Sequence, residues 1–456
     1  MYRLPMMSFR PLFAVAAMGA LTATPALGAW SAPEQASRGP LPSRAPDVAA
    51  NARGDAAAAW VRGARRDAMI VVSVRPAGGD WSDPVAVSRR GRPAIDPDVA
   101  IDAHGRVIIA WRQVVRIRTV AAGGGRRRQA VYVVRTRDRV VTDARWSRIT
   151  TLSSERQKVG PPELAVDDDG LAVATWHWGT GTSPGDRGYI GQVQFAERRA
   201  DGSWSGPARL SRSPLCAQVR LPRVAVGRSG HATIWWQCDL PSDRSTALAR
   251  TRSPGTDFGN EVELPFRTAG DVTADLAIDA DGSATAVSAD GEGSLSWWRG
   301  DVDSTLTLRE LPALGSPDRL DPLAKTGGPA IAVNSAGDAL SGWVDSAGRP
   351  GAAPVASDLG VGAASRLGPS DPAASSPRVA VGDQRHGVVA WVAGGRIVAS
   401  TRSADGTVAT GGTVSGSGVP DLDPPAVAMD ATGDATLFWT RVSRGRSVVE
   451  RSSSAP

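Results

Sequence analysis

The chain has 456 residues, of which only 5% are aromatic, and its 51 glycines and 33 prolines are spread along the whole sequence. This composition is typical of many short strands joined by turns, and it excludes a chain organised around one flexible tract. The formal net charge of +6 is too small to indicate a nucleic-acid partner.

Residues 1–29 are predicted to be a secretory signal peptide. Two arginines give a basic start, an apolar stretch runs from Leu12 to Leu21, and cleavage is expected after the small residues Gly28 or Ala29. Removal of the two arginines leaves a net charge of 6 − 2 = +4. No later stretch reaches the roughly 18 consecutive apolar residues of a membrane span. We therefore expect residues 30–456 to be one secreted domain.

The first repeat contains the four strands of an antiparallel propeller blade. Apolar or β-branched runs at 47–51, 56–62, 68–75 and 81–88 are separated by short turns. Gly54 ends the first turn, where a hairpin favours a residue with positive φ. The spacing leaves no room for a long helix, so the predicted fold class is all-β.

The same phrase recurs eight times, with a period typical of a propeller. Each copy has a proline or its substitute, a Val/Ala/Ile run, a turn related to D-x-x-G, and a second apolar run that usually ends in tryptophan. The copies begin at residues 46, 97, 162, 222, 274, 329, 377 and 425, so their starts lie 48 to 65 residues apart. Eight four-stranded blades are predicted, and seven blades with one displaced repeat are the alternative. Arg385 occupies the glycine position of the seventh copy, where we expect a distorted turn.

One tryptophan ends the second strand of most repeats and is predicted to pack between blades. Seven copies carry it, at Trp60, Trp111, Trp176, Trp236, Trp343, Trp391 and Trp439. Ser288 replaces it in the fifth copy, so blade five is expected to pack more loosely than its neighbours.

The segments between strands two and three of blades two and three carry candidate binding side chains. In blade two, Arg116, Arg118 and Arg126 to Arg128 crowd a long segment predicted to be a flexible loop. Guanidinium groups bind carboxylates, sulfates and phosphates bidentately, and a solvated loop without a ligand is the alternative. Blade three contributes the aromatic side chains of Trp178 and Tyr189.

The two cysteines, Cys216 and Cys238, flank the first two strands of blade four. These positions share one rim of a propeller, and an oxidising compartment favours a disulfide between them. A pair of buried thiols is the alternative.

The first residue of each inner strand is predicted to lie at the propeller axis. Six of these eight positions are ionisable, which indicates a polar binding site at the axial opening, or mouth, of the propeller. The alternative is that these charges only keep the mouth solvated and pair with one another. The positions are occupied by Asp47, Asp98, Glu163, Arg223, Asp275, Ala330, Arg378 and Ala426.

The D-x-x-G turns of residues 167–170 and 279–282 resemble fragments of calcium loops. They occupy the repeated hairpin position and lack the later bidentate glutamate of a complete loop. We predict turns there, and neither a metal nor a cofactor.

The two ends of the chain are predicted to close the ring. The eighth repeat stops after its third strand, at residues 447–451, and lacks a W-S-x-P segment. Residues 30–37 (WSAPEQAS) match the fourth strands that begin at Trp81 and Trp204. The N-terminal strand is therefore expected to complete the last blade, which removes the exposed sheet edges.

The segments GGDWSDP and ADGSWSGP resemble the blades of secreted bacterial propellers of the sialidase-like, BNR-repeat kind. Residues 201–204 (DGSW) are a shortened form of the S-x-D-x-G-x-x-W box of that family. The resemblance covers nearly all of residues 30–456 and implies a propeller with an extracellular role.

Three functions are compatible with these features. The preferred hypothesis is a secreted, monomeric binding module without catalysis, whose axial mouth recognises a glycan, a cell-envelope polymer or an extracellular protein. The first alternative is a sialidase-like glycoside hydrolase with Asp98 and Glu163 as its carboxylate pair. The second is a protein-interaction scaffold that binds through the blade rims.

Overall fold

The structure is a computed structural model, and it shows an all-β propeller of eight blades. It describes residues 29–122, 125–155, 158–180, 190–211, 216–240, 245–266, 273–289, 294–303, 306–311, 328–345, 347–356, 360–374, 377–419 and 424–455. The strands form eight antiparallel sheets, seven with four strands and one with five. The prediction of eight blades is confirmed, and the seven-blade alternative is wrong.

Each blade is a simple meander whose first strand lies nearest the axis. The first four blades contain the strands Ser43–Ala50, Ala56–Arg62, Met69–Arg75 and Val85–Ala86; Ala94–Ile101, Arg106–Ala122, Gly125–Val140 and Thr150–Thr151; Lys158–Val166, Ala172–Thr180, Ile190–Arg198 and Ala208–Arg209; and Gln218–Val226, Ala232–Asp239, Ser245–Arg252 and Val262–Glu263. A single turn of 3-10 helix, Arg65–Asp67, interrupts blade one.

The other blades repeat the pattern, with an additional short strand in blade six. They contain Thr273–Ile278, Ser283–Ala289, Leu295–Asp301 and Arg309–Glu310; Ala330–Val333, Ala339–Val344, Pro350–Ala356, Gly360–Val361 and Ser365–Arg366; Arg378–Val381, Gly387–Ala393, Arg396–Arg402 and Gly412–Thr413; and Ala426–Met429, Ala435–Ser443, Arg446–Ser454 and Glu34–Gln35. Within the described part of the chain, no helix is long and apolar enough to cross a membrane.

The N-terminal strand completes blade eight, as the sequence predicts. Glu34–Gln35 pairs antiparallel with the C-terminal strand. Ser31 N donates to Ser453 O at 2.8 Å, and Ala36 N donates to Val449 O at 2.9 Å. The ring is therefore closed by hydrogen bonds between segments more than 400 residues apart in sequence.

The hydrophobic core is divided among the blade interfaces. Each of the eight apolar clusters found among the described residues joins two neighbouring blades, including blade eight with blade one. The repeated tryptophan lies within the second strand, not at its end as predicted, and it packs against the preceding blade in each interface that has one. Since burial of such a ring contributes several kcal/mol, these tryptophans hold neighbouring blades together.

Blade five achieves the same packing with a different residue. Trp298, from its third strand, joins the cluster shared with blade four, and its Nε1 donates to Ser288 Oγ at 2.9 Å. The adjacent Trp297 is also buried and contacts Trp343 of blade six edge-on. The expectation of loose packing in blade five is therefore wrong, because two tryptophans of the next strand compensate for Ser288.

The repeated turns are held by their first side chain. In blade two, Asp102 Oδ1 accepts hydrogen bonds from the backbone N–H groups of His104 and Arg106. The aspartates of the calcium-like sequences, Asp167 and Asp279, make the same pair of bonds, which confirms the turn prediction there.

The seventh turn is not distorted, contrary to expectation. Arg385 itself adopts a φ of 66°, in the left-handed region that glycine occupies elsewhere. Its N–H still donates to Gly382 O, at 3.0 Å. The Arg385 side chain pairs with Asp338 of blade six at 2.8 Å.

The arginine-rich segment of blade two is a paired hairpin and not a flexible loop, with one break in register between Val114 and Arg116. Arg106–Ala122 pairs with Gly125–Val140 up to the pair Ala122 and Gly125. Residues 114–120 (VVRIRTV) mix β-branched with charged side chains, a composition that suits a strand with exposed faces.

The predicted disulfide is present. Cys216 and Cys238 are bonded across 22 residues, with their Cα atoms 5.2 Å apart. The sequence suggested that Cys238 follows the second strand of blade four, but Cys238 lies within that strand. The bond joins a residue just before the first strand of blade four to the second strand of that blade.

Candidate functional site

The eight predicted axial positions meet in one cavity of about 450 Å³. Only in blades six to eight does this position begin the first strand, as predicted; in blades one to five the strand starts earlier, and in blades one to four a break in register precedes the mouth residue. The ring symmetry nevertheless brings all eight positions to the same end of the axis. Seven prolines share the wall with these side chains, at Pro46, Pro97, Pro161, Pro162, Pro329, Pro424 and Pro425. Because proline fixes φ and carries no N–H, the wall is stiff and presents apolar rings between the charged groups.

Three of the four mouth acids connect neighbouring blades. In each case, one carboxylate oxygen accepts a hydrogen bond from the backbone N–H that follows the mouth position of the next blade. The bonds are Asp47 to Val99 at 2.7 Å, Asp98 to Leu164 at 2.6 Å and Asp275 to Ile331 at 3.0 Å. These acids therefore have a structural role that the sequence analysis did not anticipate.

Asp47 and Asp98 form a close carboxyl pair. Burial raises the pKa of Asp98 well above its usual range, and the charges of Asp47 and Glu163 raise it further. Burial also raises the pKa of Asp47, although hydrogen bonds from Asp98 and from the Val99 backbone oppose this. The charge of Asp47 thus disfavours ionisation of Asp98, as expected of a carboxyl pair that retains a proton.

The carboxyl pair is expected to make the protein less stable as the pH rises. The folded state has the higher pKa at Asp98, so it binds more protons than the unfolded chain once the pH exceeds the unfolded pKa. The free energy of unfolding then falls until the pH has passed the folded pKa. Asp98→Asn should weaken this dependence, because the amide oxygen still accepts the Leu164 N–H without carrying a charge.

Urea unfolding between about pH 4 and pH 8 measures this effect. Asp80→Asn, at an exposed position on the outer part of blade one, is the matched control and should keep the wild-type slope. Parallel slopes for Asp98→Asn and the wild type would show that the pair does not retain its proton.

The two mouth arginines differ in their surroundings. Arg223 Nη1 lies 3.1 Å from Glu163 Oε1, and this carboxylate is the main cause that raises the pKa of Arg223. Burial, followed by the charge of Arg223, lowers the pKa of Arg378. Arg378 Nη1 donates to Pro377 O at 3.3 Å, and no carboxylate of the described residues forms an ion pair with it. Arg378 therefore has N–H donors available to a ligand in the cavity.

The other predicted binding residues lie outside this cavity. Trp178 is half-buried and packs with the cluster between blades two and three, beside Val159. Tyr189 lies outside the described residues. Arg116 and Arg118 are exposed on the blade-two hairpin. Neither Trp178 nor these two arginines contribute to the cavity wall.

The opposite end of the axis carries an ion pair that sequence reasoning missed. Arg228 of blade four binds both oxygens of Asp383 in blade seven, at 3.0 and 3.3 Å. Ser335 Oγ of blade six donates to Asp383 at 2.7 Å. Burial raises the pKa of Asp383, but the hydrogen bonds from Ser335 and the charge of Arg228 lower it more, so the pKa is below its usual value. Blade four is thus linked across the axis to the neighbouring blades six and seven at this end.

A second cavity, of about 520 Å³, opens between the outer strands of blades three and four. Phe195 and Phe258 meet edge-on there at 5.0 Å. Glu197 lines the cavity and pairs with the buried Arg252. Burial raises the pKa of Glu197, while Arg252 opposes the shift. No repeat pattern points to this pocket, because its residues come from the variable outer strands.

No family model and no curated protein sequence matches the chain. Several solved structures are similar to it. A lectin from Burkholderia pseudomallei has a TM-score of 0.52 and 10% sequence identity, covering 82% of this chain and 100% of the lectin. A protein of unknown function from Dyadobacter fermentans has a TM-score of 0.46 and 11% sequence identity, covering 94% of this chain and 99% of that protein. The Hadza microbial sialidase Hz136 has a TM-score of 0.41 and 12% sequence identity, covering 88% of this chain and 76% of the sialidase. Of these three, the lectin has a TM-score above 0.5, and its similarity supports the fold alone.

Proposed function

We propose that the protein is a carbohydrate-binding module and that its axial cavity holds a saccharide. The observation that carries this proposal is the cavity wall, in which proline rings alternate with charged hydrogen-bonding groups around about 450 Å³. A sugar ring presents both C–H faces and hydroxyl groups, and this volume falls in the usual range of small-molecule sites. The lectin function of the Burkholderia propeller supports the proposal by analogy of fold.

Arg378 gives the proposed site a preference for acidic sugars. Its guanidinium faces a cavity in which the other cation, Arg223, is already paired with Glu163. A carboxylate on the ligand would supply the partner that Arg378 lacks among the described residues, through charge-assisted hydrogen bonds. The ligand class that we propose is therefore a uronic acid or another carboxylated saccharide.

We also propose that residues 1–29 direct export and that residues 30–456 act as one secreted domain. The Cys216–Cys238 bond supports this proposal, because such bonds persist in oxidising compartments.

A glycoside hydrolase is the second candidate, favoured by one specific observation. Asp98 has a raised pKa and lies beside Glu163, and a general acid requires a raised pKa. However, Asp98 is bonded to the Leu164 backbone and Glu163 to Arg223, so both carboxylates already have partners in the fold. Binding without cleavage is the function that these contacts favour.

Arg378→Gln is expected to weaken binding of galacturonate by about tenfold to 100-fold, the usual worth of a charge-assisted hydrogen bond. Binding of galactose, its neutral counterpart, should change much less. Isothermal titration calorimetry with both sugars measures the difference. Arg309→Gln, at an exposed position on the outer strand of blade five, is the matched control.

Equal galacturonate affinity in Arg378→Gln and the wild type, or no binding by the wild type, would contradict the proposed site. Chromatography of glycans incubated with the protein tests the alternative at the same time. Cleavage that Asp98→Asn abolishes, while the fold is retained, would identify a hydrolase.

A further inference from the structure

A basic arm projects from the rim of blade two, on the same side as the axial cavity. The arm comprises residues 116–122 and 125–131 of the long hairpin. Four of its arginines and three more from the connection at its base are exposed, namely Arg116, Arg118, Arg126, Arg128, Arg89, Arg90 and Arg92. From residue 103 to residue 137 the sequence has nine arginines and neither aspartate nor glutamate.

The pairing of the hairpin distributes these arginines along its length. Arg116 and Arg118 share one face, and they lie about 7 Å apart because alternate residues of a strand are separated by two rises. Arg126 and Arg128 share the other face, since Arg128 pairs with Thr119 and not with Arg118. The arm is thus a ribbon with positive charge on both faces, which suits a ligand that carries many negative charges.

The arm is anchored to the propeller at its base. Arg92 Nη1 donates to Val115 O at 2.5 Å, and Arg116 Nη2 donates to Glu155 O at 3.2 Å. Each bond uses one of the five N–H donors of a guanidinium, so most donors stay available. Burial lowers the pKa of Arg135, and the charges of Arg89 and Arg92 add to the shift, which shows how closely the basic groups gather there.

We propose that the arm and its basic base form a second binding surface, which takes an anionic polysaccharide. A polymer fits better than a single anion, because the charges are spread over both faces and along two strands. A single-stranded nucleic acid would require aromatic side chains on which bases stack. None is exposed on the described part of the arm, and the nearby Tyr132 ring is covered by Arg112 at 5.0 Å.

This surface is independent of the axial site and can be tested separately. Dextran sulfate and unsulfated dextran are matched probes that differ only in charge. The arm variant replaces Arg116, Arg118, Arg126 and Arg128 with glutamine. The control variant makes the same change at four exposed arginines elsewhere, namely Arg145, Arg148, Arg309 and Arg396. Both variants lose four positive charges, so only the location of the charge differs.

The arm variant is expected to bind dextran sulfate at least tenfold more weakly than the wild type, with a shallower dependence of log Kd on log salt concentration. The control variant should stay within about twofold of the wild type, and unsulfated dextran should bind none of them. Arg378→Gln should not affect this affinity, which separates the result from the axial site.

Three results would overturn the proposal. Equal losses in the arm and control variants would attribute binding to net charge alone. Absence of dextran sulfate binding by the wild type would contradict the proposed binding surface. Duplex DNA that competes as well as dextran sulfate at equal charge would identify a nucleic-acid surface. Circular dichroism of the variants verifies that each comparison is made between folded proteins.

Discussion

A chain that begins at Arg38, and so lacks residues 30–37, is expected to lose about 5 kcal/mol or more of unfolding free energy and to aggregate. The hydrogen bonds between this segment and the C-terminal strand contribute about 1 kcal/mol each. Trp30 and Ala36 also pack against the clusters on either side of blade eight. Without the segment, the third strand of blade eight becomes an open edge, and such an edge can pair with another chain.

Urea unfolding, compared with a chain that begins at Ala29, measures the loss. A peptide of residues 30–37 added in trans should restore stability as its concentration rises, because it binds only the folded ring. A scrambled peptide of the same composition is the matched control. Unchanged stability after the deletion would show that the closing strand adds little to the ring.

The architecture could be predicted because each repeat carries its own local signals. An apolar run, a turn and a second run ending in a residue such as Trp111 specify two strands of known direction. The count of such units then gives the number of blades. Asp98 and Glu163 could be assigned to one mouth for the same reason, since every inner strand begins at the same end of the axis.

The roles of the mouth residues could not be predicted from local spacing. Asp98 lies 66 residues from Leu164, whose N–H it binds, and this bond depends on the stagger between adjacent blades. The Arg228 to Asp383 contact spans 155 residues and joins blades that are not neighbours. Both contacts depend on the closed ring. The repeat pattern predicts that ring, but it does not predict the distances between side chains of different blades.

Two positions at which the repeat residue is replaced also led to wrong predictions, because each was interpreted without its neighbours in space. Ser288 suggested a weak blade, yet Trp298 donates to Ser288 Oγ and occupies the interface. Arg385 suggested a distorted turn, yet it accepts a positive φ and gains a contact to Asp338. In both places a neighbouring element compensates for the lost residue, and this compensation appears only in three dimensions.

If Trp298 has replaced the repeated tryptophan, then Trp298→Ser and Trp439→Ser should destabilise the protein equally, by about 3 to 5 kcal/mol each. Both side chains are buried, and each packs against the preceding blade. Trp439→Ser also removes the donor that Glu450 accepts at 3.1 Å. Ser288→Ala should cost only about 1 kcal/mol, the worth of the hydrogen bond from Trp298.

Urea unfolding of the three variants under one condition tests this equivalence. The Ser288→Ala variant is the control, because it changes the repeat position itself and leaves the indole in place. A small cost for Trp298→Ser beside a large cost for Trp439→Ser would show that blade five is held mainly by Trp297, through its contact with Trp343. Equal large costs would establish that blade interfaces require an indole at this place in space, whichever strand supplies it.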